Sequence, residues 1–236
     1  MVFGGIQKVT LLDYPEKTAC TLFTAGCDFR CPFCQNSSLM SSDTDEHSNV
    51  NRQYIKASEI LDFLRTRQGL LDGVCISGGE PLLQNGLSDF IKDVKEMGFS
   101  VKLDTNGSLP DKLKMLIASG TIDYVAMDIK NTPEKYALTA GLSEIDTSLI
   151  KESADILLSN VISYEFRTTV VRDFHTEEDL VTIAKWISGA KKYYLQGFVN
   201  SDEVLKNGLT GYSNKEMHKI LDSVKQVLPT AEARGF

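Results

Sequence analysis

Three cysteines stand at Cys27, Cys31 and Cys34 in the stretch CDFRCPFCQN, with three and then two residues between them. Gly26 precedes them, and Pro32 and Phe33 lie inside the motif. A loop of that composition lets three sulfurs converge on one centre. Two kinds of centre compete for it. Structural zinc asks for four protein ligands, usually in paired cysteine or histidine spacings. The histidines are His47, His175 and His218; only His47 is near in sequence, and there is no second CxxC or HxxxH pair. A four-iron cluster usually takes four thiolates. Three leave one iron open, which is a defect in an electron carrier but an asset where the metal must hold a substrate. Cys20 in TACTLF and Cys75 in GVCISGG fall in strand-like stretches and read as small buried apolar side chains.

The elements that must position this loop alternate between apolar runs and amphipathic stretches, the rhythm of βα units. The strands are expected at 18–26, 73–79, 99–107, 122–130, 163–171 and 191–198. Helices are expected at 57–68, 81–98, 109–120, 146–159, 175–189 and 214–228. Pro81 sits in the first turn of its helix and Gly98 ends it, Gly120 closes the next, and Thr176 starts the fifth. Six such units make an α/β fold with a parallel sheet curved into a partial TIM barrel, (β/α)6. In such sheets chemistry lies on the loops after the strands. The unusual residues obey that rule. The cysteines follow strand one, and Gly78, Gly79 and Glu80 follow strand two. Asp104, Thr105 and Asn106 end strand three, Asp128 and Lys130 end strand four, Arg167 lies in strand five, and Gln196 lies near the end of strand six. Each has a bland reading as well. SGGEP can be an ordinary turn before a helix, and DTNG a polar turn. Lys130 and Arg167 can pair with Asp128 or Glu165, and Phe33 can be core. His175, ahead of a helix, and His218, on one, read as exposed residues without a role.

The chain has 236 residues, 42% of them hydrophobic, so it can bury a sizeable core. Its net charge of −7 argues against a general nucleic-acid binder. No apolar run reaches the length of a membrane span, and the first residues, MVFGGIQKVTLLDYP, lack the pattern of a signal peptide. A cytoplasmic protein with reduced thiols is the expectation. One domain over 1–236 is expected, with a core of about 18–198 and a helical extension of about 199–236.

The spacing Cx3Cx2C with an aromatic before the last cysteine resembles the radical S-adenosylmethionine (radical SAM) superfamily. Taken together, GGIQKVTLLDYP, TLFTAGCDFRCPFCQN, CISGGEPLLQ, KLDTNGS, YVAMDIK and YEFRTTVV resemble the glycyl-radical-enzyme activating proteins. Within these the match is nearest to the anaerobic ribonucleoside-triphosphate reductase activating proteins. It runs from the N-terminus to YYLQGF, and the last forty residues or so match weakly.

The resemblance implies that Cys27, Cys31 and Cys34 hold a [4Fe-4S] cluster and that the amine and carboxylate of SAM chelate the open iron. It implies an external flavodoxin or ferredoxin as reductant. Reductive cleavage would give a 5′-deoxyadenosyl radical that takes hydrogen from a backbone glycine of a partner enzyme. No catalytic residue beyond the cluster and SAM is implied. Gly78, Gly79 and Glu80 would meet the methionine amine. Lys130 and Arg167 would meet its carboxylate, and Phe33, Gln35 and Asn36 would lie by the adenine. Gln196 joins the cofactor-binding set by position. Asp104, Thr105, Met127 and Asp128 could cage a monovalent cation, as in relatives. This chain has Gln35 where relatives often have histidine, and VVRDF where many have a proline-glycine turn. No second set of cysteines is present, so the electron must come from outside.

The alternatives keep the cofactors and change the substrate: a pyruvate formate-lyase activating enzyme, or a small-molecule enzyme such as a deazapurine synthase. A zinc-bound interaction protein using the three cysteines and His47 would leave GGEP, DTNG and the βα rhythm unexplained.

Overall fold

The computed structural model describes residues 1–40 and 54–235; His47 lies outside them. The described chain divides into two compact units. The first takes in 1–28, 38–105 and 111–125, and the second 29–37, 106–110 and 126–236.

The first unit opens with β1 (Val2–Thr10), which pairs antiparallel with β2 (Ala19–Thr24) and with the two-residue β3 (Ile55–Lys56). Then come α1 (Ala57–Arg65), β4 (Gly73–Gly78), α2 (Leu87–Glu96), β5 (Ser100–Thr105), α3 (Pro110–Ala118) and the start of β6 (Tyr124–Asp128). β2 runs parallel to β4, and β4 parallel to β5. Leu22, Ile76 and Leu103 on the strands are buried, as are Ile60, Leu64, Ile91 and Val94 on the helices. That is the apolar stripe at helical spacing seen in the sequence, packed out of water.

The second unit holds α4 (Tyr136–Ala140), α5 (Thr147–Leu158), β7 (Ser163–Val170), α6 (Glu177–Trp186), β8 (Tyr193–Gly197), α7 (Asn214–Lys225) and β9 (Ala231–Arg234). β7, β8 and β9 pair in parallel, Tyr193 opposite both Phe166 and Ala231. Thr176 and Ser213 each cap their helix in a reciprocal box with Asp179 and Glu216.

The six expected strands are present within two residues at either end. Five features differ. The helix expected at 81–98 is two pieces: Pro81 opens a single 3-10 turn, and Gly86, at φ 80°, breaks the chain before α2 begins. β1, β3 and α4 were not anticipated. The C-terminal stretch is not purely helical, because β9 adds a strand to β8. Its Arg234 grips the buried Glu165 through two bonds of 3.0 Å and covers the Tyr194 ring. Glu165 thereby has Arg234 as a partner on both of its oxygens. No helix of the described residues is long and apolar enough to cross a membrane.

Candidate active site

In the first unit β2 ends in Thr24, and the chain turns at Gly26, φ 87°. Gly26 N–H bonds the Leu39 carbonyl at 2.7 Å and Cys27 N–H the Met40 carbonyl at 3.3 Å. The GGE segment after β4 lies against this turn. Gly79 N–H reaches the Thr24 carbonyl and Glu80 N–H the Gly26 carbonyl, both at 2.9 Å. A Cβ on Gly79 would run into the Gly26 carbonyl, and one on Gly78 into the Thr24 backbone. The glycine pair is therefore required by the chain's own close approach, whatever else it admits. Glu80 is fully buried; its Oε1 accepts from Leu82 N–H and from the Thr105 hydroxyl, each at 3.0 Å.

The same unit holds a group the sequence reading missed. Lys102 sits in mid-strand, 1% exposed, with its ammonium on Asp104 Oδ1 and 3.7 Å from the Cys75 sulfur. Cys75 is as buried as expected, but it faces this ion pair instead of a purely apolar neighbourhood. The signal was available: Lys102 and Asp104 are two apart on a strand and so share a face.

In the second unit the rest of the cysteine loop is laced by hydrogen bonds to two other segments. Arg30 N–H bonds the Ala140 carbonyl, and Lys206 N–H the Pro32 carbonyl, both at 2.8 Å. Gln35 Nε2 donates to the Val199 carbonyl at 3.1 Å. Gln35 is exposed and Asn36 half-buried. Phe33 is in the core, its ring 6.0 Å from that of Phe174 and 6.5 Å from that of His175.

β6 ends in a charged cluster. Asp128 receives Lys130 Nζ at 3.0 Å on one oxygen and Arg167 Nε at 2.9 Å on the other. Burial alone would raise the Asp128 carboxyl, but the two cations outweigh it and hold it down to about 2. Burial would lower Lys130; Asp128 and Cys31 outweigh it and hold the ammonium above its ordinary value. Asp128 thus sits between two cations. Burial pushes the Cys31 thiol up to about 11, with the Lys130 ammonium pulling the other way, and raises Cys34 as well. Met127 is buried with its terminal methyl turned to Gly107, where a Cβ would clash. Gln196 is half-buried on β8, opposite Thr169 and Arg234.

His175, expected to be exposed, is fully buried. Its Nδ1 accepts from Val171 N–H at 3.1 Å, so the ring proton sits on Nε2, which donates to the Lys130 carbonyl at 2.7 Å. The next residue, Asn131, is also buried and donates to the Phe174 carbonyl at 3.0 Å. Residues 130–131 are thus stapled to 174–175. The sequence hid this because a histidine before a helix cap usually faces water. His218 is exposed, as expected.

Burial holds the His175 pKa below its ordinary value, against the pull of the Lys130 and Val171 carbonyls. The unfolded chain therefore takes up a proton near pH 6.5 that the folded chain refuses. The contribution is complete above that pH and lost as pH falls through it, by at most about 1.4 kcal/mol per pH unit. Urea unfolding between pH 7.5 and 5.5 should show this slope, and His175→Gln should flatten it. An equal slope in the variant would rule the assignment out.

Among the described residues no three His, Cys, Asp or Glu side chains gather as a single-ion site. A mononuclear zinc site would place its sulfurs about 3.8 Å apart, from a Zn–S distance near 2.3 Å. A four-iron cluster asks for something else, since each thiolate takes its own iron. The donor set fits that demand in kind: none of the five cysteines is in a disulfide, and two of the loop's three, Cys31 and Cys34, feel the Lys130 cation.

Residues 21–187 match the family model of the Radical SAM superfamily. The chain is 35% identical over 207 residues, 84% of its length and 80% of the relative's, to a Methanocaldococcus jannaschii protein provisionally named a glycyl-radical enzyme activating enzyme. It is 32% identical over 119 residues, about half of each chain, to the 7-carboxy-7-deazaguanine synthase of Thermoplasma acidophilum. It shares its fold, at a TM-score of 0.70 and 13% identity, with Streptococcus suis SuiB bound to S-adenosylmethionine, over 90% of this chain and 49% of that one. The mostly parallel α/β sheet is therefore of the partial-barrel type, and the family implies a [4Fe-4S] cluster and SAM as its cofactors. With its motif, its fold and its relatives in agreement, the chain belongs to the Radical SAM superfamily and is an enzyme of it.

Proposed function

We propose that the chain activates a glycyl radical enzyme, and that this partner is an anaerobic ribonucleoside-triphosphate reductase. The observation that carries the reading is the 35% identity to an activating-enzyme relative along most of both chains. The cysteine loop and the cationic cluster of the second unit support it. Cys27, Cys31 and Cys34 would hold the cluster. When bound, the cluster and SAM supply the electron and the deoxyadenosyl group that removes hydrogen from the partner's glycine. Lys130 and Arg167, already aligned on Asp128, would take the carboxylate of SAM. Glu80, with Gly78 and Gly79, would face its amine. Gln35 and Asn36 would lie by the adenine with Phe33 behind them, and Gln196 would line the same end of its strand. A flavodoxin or ferredoxin would supply the electron, and the setting would be the cytoplasm.

The test uses anaerobically reconstituted protein, dithionite and SAM, with each candidate partner added in turn. Electron paramagnetic resonance should show a glycyl radical on the reductase. A radical on pyruvate formate-lyase instead would reassign the partner. The Thermoplasma relative favours a second reading, a deazapurine synthase. SAM cleavage that leaves every protein partner without a radical, but is driven by a heterocyclic substrate, would establish that one.

A further inference from the structure

The cation cage implied by the resemblance would draw on two carboxylates, Asp104 of the first unit and Asp128 of the second. Both already face cations. Asp128 holds Lys130 and Arg167. Asp104 holds the ammonium of Lys102. The Thr105 hydroxyl beside Asp104 donates to Glu80, and the Met127 methyl packs on Gly107. These donors do not fit a further positive ion: the carboxylates that would attract it are matched, and an added cation near Asp104 meets the repulsion of an ammonium.

Lys102 is not an incidental charge. It lies in the middle of β5, opposite Cys75 in register, and is almost wholly removed from water. A lysine is kept there only where its charge is paired, because an isolated buried ammonium is expelled or loses its proton. Period-two geometry puts Lys102 and Asp104 on one face, so the strand itself fixes the pair. The Cys75 sulfur, 3.7 Å from both the Lys102 ammonium and Asp104 Oδ1, adds a soft neighbour to it.

We propose that the Lys102 ammonium is the resident cation of Asp104, built into the strand where the resemblance implies a diffusible monovalent ion. It acts as a positioning residue: it fixes the Asp104 carboxylate and frees the chain from any requirement for a particular ion. The proposal rests on the SAM-binding reading only for its second readout.

The first readout is the melting temperature of the protein without cofactors, in potassium, sodium or tetramethylammonium chloride at equal ionic strength. The wild type should melt at one temperature in all three. Lys102→Met should melt lower, and potassium or sodium should restore it by several degrees in a saturable way that tetramethylammonium cannot match. Lys102→Arg, which keeps the charge, should stay independent of the ion. The second readout is the affinity of the reconstituted protein for SAM under the same salts, expected to agree within about two-fold in the wild type. A saturable, size-selective response in the wild type, in either readout, would overturn the proposal. So would a folded Lys102→Met that answers to no ion. If Lys102→Met does not fold, the wild-type salt series decides alone. Absence of SAM binding in every salt would sink the proposed function, and the melting series would still judge Lys102.

Discussion

Cys31→Ala should give a folded protein that no longer cleaves SAM. The thiol is nearly buried, and its loss leaves a small void that costs about 1 kcal/mol, so the melting temperature should fall by only a few degrees. Activity should behave differently. Anaerobically reconstituted wild type, given dithionite and SAM, is expected to form 5′-deoxyadenosine. The variant should retain little iron and fall on the order of a thousand-fold or more, to background. Cys27→Ala and Cys34→Ala should match it. Cys20→Ala is the contrast. Its thiol sits on β2, pushed up to about 12 by burial, and has the chemistry of a packed apolar group. That variant should keep both iron and cleavage. Full iron and undiminished 5′-deoxyadenosine in Cys31→Ala would remove the cysteine loop from the site.

The second large effect is expected at Lys130. Its ammonium and the Arg167 guanidinium hold Asp128 from two sides, and these two cations are what the carboxylate of SAM would meet. Lys130→Met should weaken SAM binding by about 100-fold, the scale of one charge-assisted hydrogen bond in a sheltered setting. Lys130→Arg should recover part of this, since a planar fork can meet a carboxylate from a somewhat different distance. The loss should be in affinity, measured by titration calorimetry on reconstituted protein, with Arg167 still pairing Asp128 and the fold preserved. An unchanged affinity in Lys130→Met would mean that the cluster is only structural.

Much of the architecture was legible because period and punctuation agree: six strands in apolar runs, helices opened by Thr176 and closed by glycines. The elements that were missed lack those signs. β1 carries two glycines and β3 is two residues long. β9 reads AEAR, a string that shows no strand until Ala231 is buried beside Tyr193 and Arg234 finds Glu165. The candidate site was legible at the level of motifs, because cysteine spacing and charge at strand ends are local patterns. What supports those residues was not. His175 reaches the Lys130 carbonyl across 45 positions of chain, and Lys102 becomes buried only when β4 lies beside β5. Such partners belong to the fold, and no short window of sequence displays them.

The bonds from the cysteine loop to 199–206 bear on how this family can diverge. They use the Val199 carbonyl and the Lys206 N–H, and just past the loop the Ser37 hydroxyl donates to the Glu203 carbonyl; on the 199–206 side all of these are main chain. Any residue supplies a carbonyl, and any residue but proline supplies the N–H. Selection on that stretch then acts on its path and length and leaves its letters nearly free. A tail whose sequence drifts beyond recognition can go on holding the loop in place, so weak similarity over the last forty residues is no measure of how much the site depends on them.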